Sequence, residues 1–287
     1  MSLRRTGRTG AAVKGAVFQG VLLLSLIVAF VALGALLLDV VHRGWPRLDK
    51  TLLTGTPSFD ANGAGARPAI LASLELMAIV FVLAVPIGVG TAIYLEEYAN
   101  RNRWYNRLLE LNIQNLAAVP SIVYGILGLA FIVRGVGLGR VVLAAGLILT
   151  LLVLPTTIIA TREALRAVPS SIREGGYALG ATQWQVISRS VLPAAIPGIA
   201  TGSIRALSRA IGETAPLIMI GALTFVTFNP TLLGPFTALP VQIYAWIGQP
   251  QDEFRTLAAA AIIVLLALLL TMNAFAIWLR NRYERRY

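Results

Sequence analysis

The chain has 287 residues, of which 57% are hydrophobic and only 13% are charged, and its mean hydropathy is +0.75. Soluble domains carry roughly 25% charged residues, so this composition excludes both an ordinary globular domain and a disordered chain. The absence of cysteine and the single histidine, His42, exclude disulfides, thiol catalysis and a histidine-based zinc site. The net charge of +11 is typical of either a nucleic-acid-binding protein or a membrane protein with basic loops. The hydropathy favours the second, so we expect a lipid bilayer as partner, with no nucleic acid, metal or cofactor.

Long stretches without charge predict six transmembrane helices, since a span needs about 20 apolar residues. The first stretch could instead be a signal peptide, because basic residues precede it. Its apolar core is, however, longer than the roughly 7–15 residues of a signal peptide, which favours an uncleaved helix. Asn, Pro and Gly residues between 229 and 240 end the fifth stretch. The six predicted helices cover 16–40, 69–94, 112–133, 141–160, 195–221 and 256–279.

The distribution of Lys and Arg predicts the orientation, because basic residues accumulate in cytoplasmic segments. The two termini and the loops near 96–110 and 162–190 together hold 15 of them, against 7 in the other loops. We therefore expect both termini in the cytoplasm and an external loop over 42–67. The charged stretch 94–107 and the arginines of 280–286 are most simply interfacial anchors.

The cytoplasmic loop 162–193 contains a candidate interaction helix. Pro169, followed by two serines, predicts a helix start at which serine can cap. Gly175, Gly176 and Gly180 would each destabilise an isolated helix by about 1 kcal/mol relative to Ala. A helix that keeps them is expected to approach a partner backbone closely; the alternative is a loop with incidental glycines.

The spacing of Glu174, Gly180 and the Leu192-Pro193 pair resembles the EAA motif of ABC importer permeases, with Gly175 and Gly176 in place of its two alanines. In that family this segment is a coupling helix that sits in a cleft of the ATPase subunit. The chain has no Gly-x-x-x-x-Gly-Lys-[Ser/Thr] phosphate loop. We therefore expect that it is not an enzyme and that partner subunits hydrolyse ATP.

Three further segments resemble the phosphate-uptake permeases of ABC importers, namely 86–98, 115–125 and 207–217, and the segment 239–244 is similar to their A type. The resemblance implies an all-α type I ABC importer permease with six transmembrane helices, the last five forming the core. It divides the chain into an N-terminal part (1–67), a permease core (68–281) and a cytoplasmic tail (282–287). It also implies a bacterial cytoplasmic membrane location and transport of inorganic phosphate. The implied partners are a homologous permease, two ATPase subunits and an external phosphate-binding protein.

Charged residues within the fifth predicted span are the candidate substrate path. Arg205, Arg209 and Glu213 recur every four residues and, with Thr201 preceding them, occupy one stripe of a helix. A charge at the bilayer centre costs about 2.5–3.5 kcal/mol, so these groups must face protein or water. Two interpretations stay open: a structural ion pair between Arg209 and Glu213, or arginines that bind a passing oxyanion through paired donors. Glu75 is a possible intramembrane partner for the arginines, or simply interfacial.

Arginine alone does not separate phosphate from similar anions. A permease for another oxyanion or for a phosphonate is therefore one alternative function. A secondary transporter that needs no ATPase is another, although the EAA-like motif argues against it.

The predicted orientation can be checked with single cysteines, because the chain has none of its own. In intact cells, an impermeant maleimide should label Asn62→Cys in the external loop and leave Thr182→Cys unlabelled. Both should react after permeabilisation. The reverse pattern would invert the topology and remove the basis for a cytoplasmic coupling loop.

Overall fold

The computed structural model describes residues 8–100 and 102–283, and in this part of the chain it is helical, with no strand. The α-helices are Arg8–Gly44 (α1), Lys50–Thr54 (α2), Arg67–Ile93 (α3), Trp104–Ala118 (α4), Ser121–Gly128 (α5), Val142–Arg166 (α6), Ser170–Ala178 (α7), Gln183–Val186 (α8), Leu192–Gly212 (α9), Ala215–Met219 (α10), Leu239–Ile247 (α11) and Asp252–Tyr283 (α12). A 3₁₀ turn covers Trp45–Arg47, and π-helical turns cover Tyr94–Tyr98, Leu129–Gly135 and Ile187–Val191.

Among residues 8–100 and 102–283, five helical stretches are long and apolar enough to cross a membrane, and a sixth is added if one bent pair counts as a single span. This confirms the predicted all-α membrane fold. The five stretches are Lys14–Arg47, Arg67–Tyr98, Val142–Arg166, Gln183–Gly212 and Asp252–Arg282.

The prediction of one straight third helix over 112–133 is wrong. The segment Trp104–Ala118 meets the segment Ser121–Gly135 at an angle of 103°. The bend lies at Pro120, whose ring excludes the carbonyl four residues earlier and which has no N–H to bond it. That carbonyl, on Leu116, accepts instead a hydrogen bond of 2.8 Å from the Tyr124 hydroxyl.

The fifth predicted helix, 195–221, is also too long. Helix α9 ends at Gly212, and Glu213 has an extended backbone with φ −74° and ψ 117°. Pro216 explains the break, because its ring would clash with the carbonyl of Gly212 in a continuous helix. Glu213 therefore lies just beyond α9 rather than within it.

Helices α3, α6 and α9 form the centre of the bundle, with α6 between the other two. A Cβ at Gly88 of α3 would lie 2.7 Å from Cγ2 of Thr157 on α6. A Cβ at Gly202 of α9 would lie 2.5 Å from the Cβ of Ala160, also on α6. Both distances are too short for a real side chain, so the glycines let the backbones approach closely, as small residues do in membrane helix pairs.

The two ends of the bundle have separate buried clusters. At one end, the cluster lies between the first residues of α3, the first residues of α12 and helix α11, and it includes Leu52, Trp246 and Phe254; we call this the α11 end. The other joins the last turns of α3 and α6 to the segment before α9 and includes Leu165 and Val186; we call it the α7 end. Helix α1 is largely exposed along its length and packs on α12 near its own last residue, outside the central bundle.

Two glycines of α3 test the central packing. Gly88→Val should lower the melting temperature of the detergent-solubilised protein, because overpacking costs about 1–3 kcal/mol. Gly90→Val is the matched control, since a Cβ at Gly90 meets no described atom within 4 Å. Equal melting temperatures for the two variants would contradict the close approach of α3 and α6.

Candidate functional site

Helix α9 buries one face and exposes the face that carries its arginines. Ser203, Ala206 and Ala210 are buried, whereas Arg205 and Arg209 are exposed. Lipid does not solvate an exposed guanidinium within a membrane-spanning helix. This face must therefore meet another protein surface or a water-filled path.

Arg209 and Glu213 form an ion pair, the contact on which one of the two interpretations of this stripe rests. Arg209 Nε donates to Glu213 Oε1 over 3.2 Å, and the side chains are 43% and 15% exposed. The pair therefore lies at an accessible surface where α9 ends. It is open enough for a third charged group to approach the arginine.

Thr201 lies further along α9, toward the α7 end, in an open recess of about 470 Å³. Its hydroxyl donates to the carbonyl of Pro197 over 2.8 Å and accepts from Arg280 Nη1 over 3.0 Å. Arg205 and Glu163 line the same recess. The sequence interpretation of Arg280 as a simple anchor missed this contact, and no local pattern indicates it, because 79 residues separate the partners.

Glu75 is not brought to either arginine. Within the described residues it forms no ion pair, and its Oε2 is buried without a hydrogen-bond partner. Of the two interpretations of Glu75, the pairing with Arg205 or Arg209 is therefore absent from the single chain.

The predicted interaction helix is α7, and its glycines serve different purposes. Gly176 packs on α8, where a Cβ would lie 2.8 Å from Val186 Cγ2. Gly180 has φ +78°, a conformation that favours glycine. A Cβ at Gly180 or Gly175 meets no described atom, so neither glycine is needed for packing within the described chain. Glu174 is exposed beside them.

The serines expected to cap α7 do not do so. Pro169 is the N-cap residue, and no side chain accepts a hydrogen bond there. Proline at this position still begins the helix, because its extended backbone (φ −55°, ψ 141°) directs the chain into the first turn.

Arg173 anchors α7 to the bundle. Its guanidinium donates to Glu97 Oε1 over 2.8 Å, to the carbonyl of Val168 over 2.8 Å and to that of Leu165 over 2.9 Å. The Gln183 side chain donates to the backbone carbonyl of Glu97. The segment of α7 and α8 is therefore tied at two points to the π-helical turn that follows α3.

A second group of charges joins the neighbouring helices at the same end. Glu96, 6% exposed, accepts from Arg166 over 2.9 Å and lies 3.5 Å from Arg162 Nε. Arg162 also donates to Glu110 over 2.9 Å. The stretch 94–107 thus supplies buried acids to arginines of α6 and α7, whereas we expected an interfacial anchor. Pairs more than 50 residues apart leave no periodic signal in the sequence.

Apolar side chains surround the exposed part of α7. Leu179 is 89% exposed, Trp184 62% and Tyr177 46%. With Glu174 they form a mixed apolar and acidic surface beside two glycines. Such a surface is typical of a protein-binding site rather than of a solvated loop.

Comparison with known proteins defines the class. Residues 84–286 match the family "Binding-protein-dependent transport system inner membrane component". The chain is 32% identical over 267 residues to "Phosphate transport system permease protein PstA 1" of Mycobacterium tuberculosis (strain ATCC 25618 / H37Rv), covering 91% of this chain and 86% of that one. It is 33% identical over 243 residues to PstA of Yersinia pestis, covering 84% and 81%. The chain therefore belongs to the PstA family of permeases.

Solved structures show the same fold at lower identity. A bacterial ABC transporter involved in the import of the acidic polysaccharide alginate matches with a TM-score of 0.63 at 18% identity, covering 97% of this chain and all of that one. The inward-facing MetNI methionine ABC transporter matches with a TM-score of 0.55 at 19% identity, covering 75% and 95%. The fold is thus that of ABC importer permeases.

Hydrogen exchange tests the anchoring of α7. Arg173→Gln should speed amide exchange over residues 170–178 by about tenfold or more, because breaking a partly buried pair leaves Glu97 without its cation. Arg189→Gln is the control, since Arg189 is exposed and lies in the same loop region. Unchanged exchange in Arg173→Gln would show that the glycine and apolar contacts alone hold α7.

Proposed function

We propose that the chain is the transmembrane permease subunit of an ATP-driven importer of inorganic phosphate and forms half of the translocation path. The observation that carries this proposal is the exposed face of α9, where Arg205 and Arg209 lie on a membrane-spanning helix. The named function of the PstA relatives supports phosphate as the substrate.

The chemistry of the α9 face suits an oxyanion. A guanidinium offers parallel N–H donors that match two oxygens of phosphate, and it stays charged at every working pH. Glu213 holds Arg209 between transport events and competes with the anion for it. This competition keeps the site from binding phosphate too tightly to release it.

Helix α7 is the element that couples the path to ATP hydrolysis. Glu174, Gly175, Gly176 and Gly180 form or support the surface that docks on an ATPase subunit, beside the exposed Leu179 and Trp184.

The partners in this proposal are a PstC-type permease, two PstB-type ATPases and a PstS-type external binding protein. Both termini lie in the cytoplasm, and the assembly resides in the bacterial cytoplasmic membrane. The permease core (68–281) follows an N-terminal part (1–67) and precedes the tail (282–287).

Reconstitution tests the function. The chain should co-purify with its ATPase subunits, and the assembly in liposomes should hydrolyse ATP faster when external binding protein and phosphate are added. Excess sulfate or a phosphonate should leave phosphate uptake unchanged; preferred uptake of either would establish the oxyanion or phosphonate alternative. Uptake without any ATPase subunit would instead establish a secondary transporter.

Exchanging the α9 ion pair separates its two interpretations. The double variant Arg209→Glu with Glu213→Arg keeps both charges but moves the guanidinium four residues along the chain, from the last turn of α9 to just beyond its end. It also places a carboxylate where phosphate must pass, where like charges repel. We expect normal membrane insertion and assembly, with phosphate uptake reduced at least tenfold.

The matched control exchanges another i,i+4 pair, Asp39→Arg with Arg43→Asp, whose partners are 2.8 Å apart and more than half exposed on α1. That variant should transport normally. Near-normal uptake by the α9 exchange would show that the Arg209–Glu213 pair is structural and would remove it from the substrate path.

A further inference from the structure

A second cationic site lies on α9, one to two turns from the Arg209–Glu213 pair toward the α7 end. It is the recess of about 470 Å³ lined by Arg205, Arg280, Thr201 and Glu163. Two arginines and one glutamate line it, so the formal charge of its lining is positive. Its volume lies within the range of about 300–1,000 Å³ found for small-molecule sites.

Among the described residues, the hydrogen bonds of the recess give its arginines no carboxylate partner. Arg280 donates to Thr201 Oγ1 over 3.0 Å and to Asn281 Oδ1 over 3.1 Å, and both acceptors are neutral. Arg205 forms no ion pair within the described residues. Glu163 lines the recess without forming an ion pair to either arginine there. An anion would therefore find two guanidinium groups that no carboxylate of residues 8–100 or 102–283 pairs with.

The walls of the recess are built by close packing. A Cβ at Gly198 would lie 2.7 Å from the Cβ of Ala164, and Gly202 is similarly tight against Ala160. The Thr201 side chain is held in one orientation within the recess, because its hydroxyl donates to the carbonyl of Pro197, one turn earlier on α9. Its oxygen is thereby directed to accept from Arg280, which holds that guanidinium at the rim of the recess.

We infer that this recess binds a phosphate oxyanion between Arg205 and Arg280, separately from the Arg209–Glu213 pair. The same donors suit free inorganic phosphate and the phosphate of a lipid headgroup. Binding of free phosphate here rests on the proposed function, because it would be a resting place on the route toward the α7 end. Binding of a lipid headgroup does not depend on transport.

Protection of a cysteine from alkylation tests the site. The variant Glu163→Cys places the chain's single thiol in the recess. The complete importer is reconstituted in phosphatidylcholine nanodiscs, and N-ethylmaleimide modification of this chain is followed by mass spectrometry. Inorganic phosphate should slow the reaction at least fivefold relative to chloride of equal ionic strength.

Two arginine variants test whether Arg205 and Arg280 bind the anion that protects the cysteine. Arg280→Gln should raise the phosphate concentration for half-protection about tenfold, because a charge-assisted hydrogen bond is lost. Arg205→Gln should act in the same direction, which guards against a folding effect of either single change. Arg282→Gln is the matched control, since Arg282 is exposed near the same end of α12, over the ring of Trp278, and should change nothing.

A second set of nanodiscs, which contains an anionic lipid, distinguishes a lipid headgroup from free phosphate. Nanodiscs with added phosphatidylglycerol and no inorganic phosphate should slow alkylation, with relief in Arg280→Gln, if a headgroup occupies the recess. Protection by inorganic phosphate in phosphatidylcholine identifies the free anion.

Three results would overturn the proposed anion site. Two of them are no protection of the cysteine by phosphate or phosphatidylglycerol, and protection that is unchanged in Arg280→Gln. The third is no alkylation under any condition, which would mean that another subunit covers the recess. Phosphate uptake by the unaltered importer is measured in parallel. Uptake without protection removes only this site, whereas absence of uptake removes the proposed function.

Discussion

The close packing of α6 between α3 and α9 is the constraint on which the rest of the structure depends. In lipid, burying apolar side chains against one another brings little gain, so helices associate through small residues that allow many contacts. Gly88 and Gly202 provide such contacts with Thr157 and Ala160 of α6. Because one face of α9 is committed to α6, the opposite face remains exposed, and it is this face that carries the arginines.

The same bundle carries α7, the helix proposed to dock on an ATPase subunit. Arg173 ties α7 to Glu97 at the end of α3, and Gly176 lets α7 pack closely on the segment that leads into α9. Glu96 pairs with the buried Arg162 and the half-exposed Arg166, and these pairs link the end of α3 to α6. A displacement of α7 by a bound partner therefore acts on three spans through short, direct contacts, rather than through a flexible loop.

Local patterns in the sequence predicted the membrane fold and the Arg209–Glu213 pair, since uncharged runs and i,i+4 spacing are local features. Local patterns did not predict the features that depend on contacts between residues far apart in the sequence. Pro155 remains within α6, but Pro120 and Pro216 coincide with helix breaks, and proline alone does not distinguish these outcomes. The contacts of Arg280 with Thr201 and of Arg173 with Glu97 join residues 79 and 76 positions apart, so only the folded chain reveals them.

The π-helical turn over Ile187–Val191 joins α8 to α9. Such a turn accommodates one residue more than an α-helical turn while the helix continues on both sides. Removing one residue there would convert the turn to ordinary α-helix and keep the arginine face in phase with α8. Removing one within α9 instead rotates everything on one side of the deletion by about 100° relative to the other. Evolution can therefore change the length of the chain at this turn without turning the arginines toward lipid.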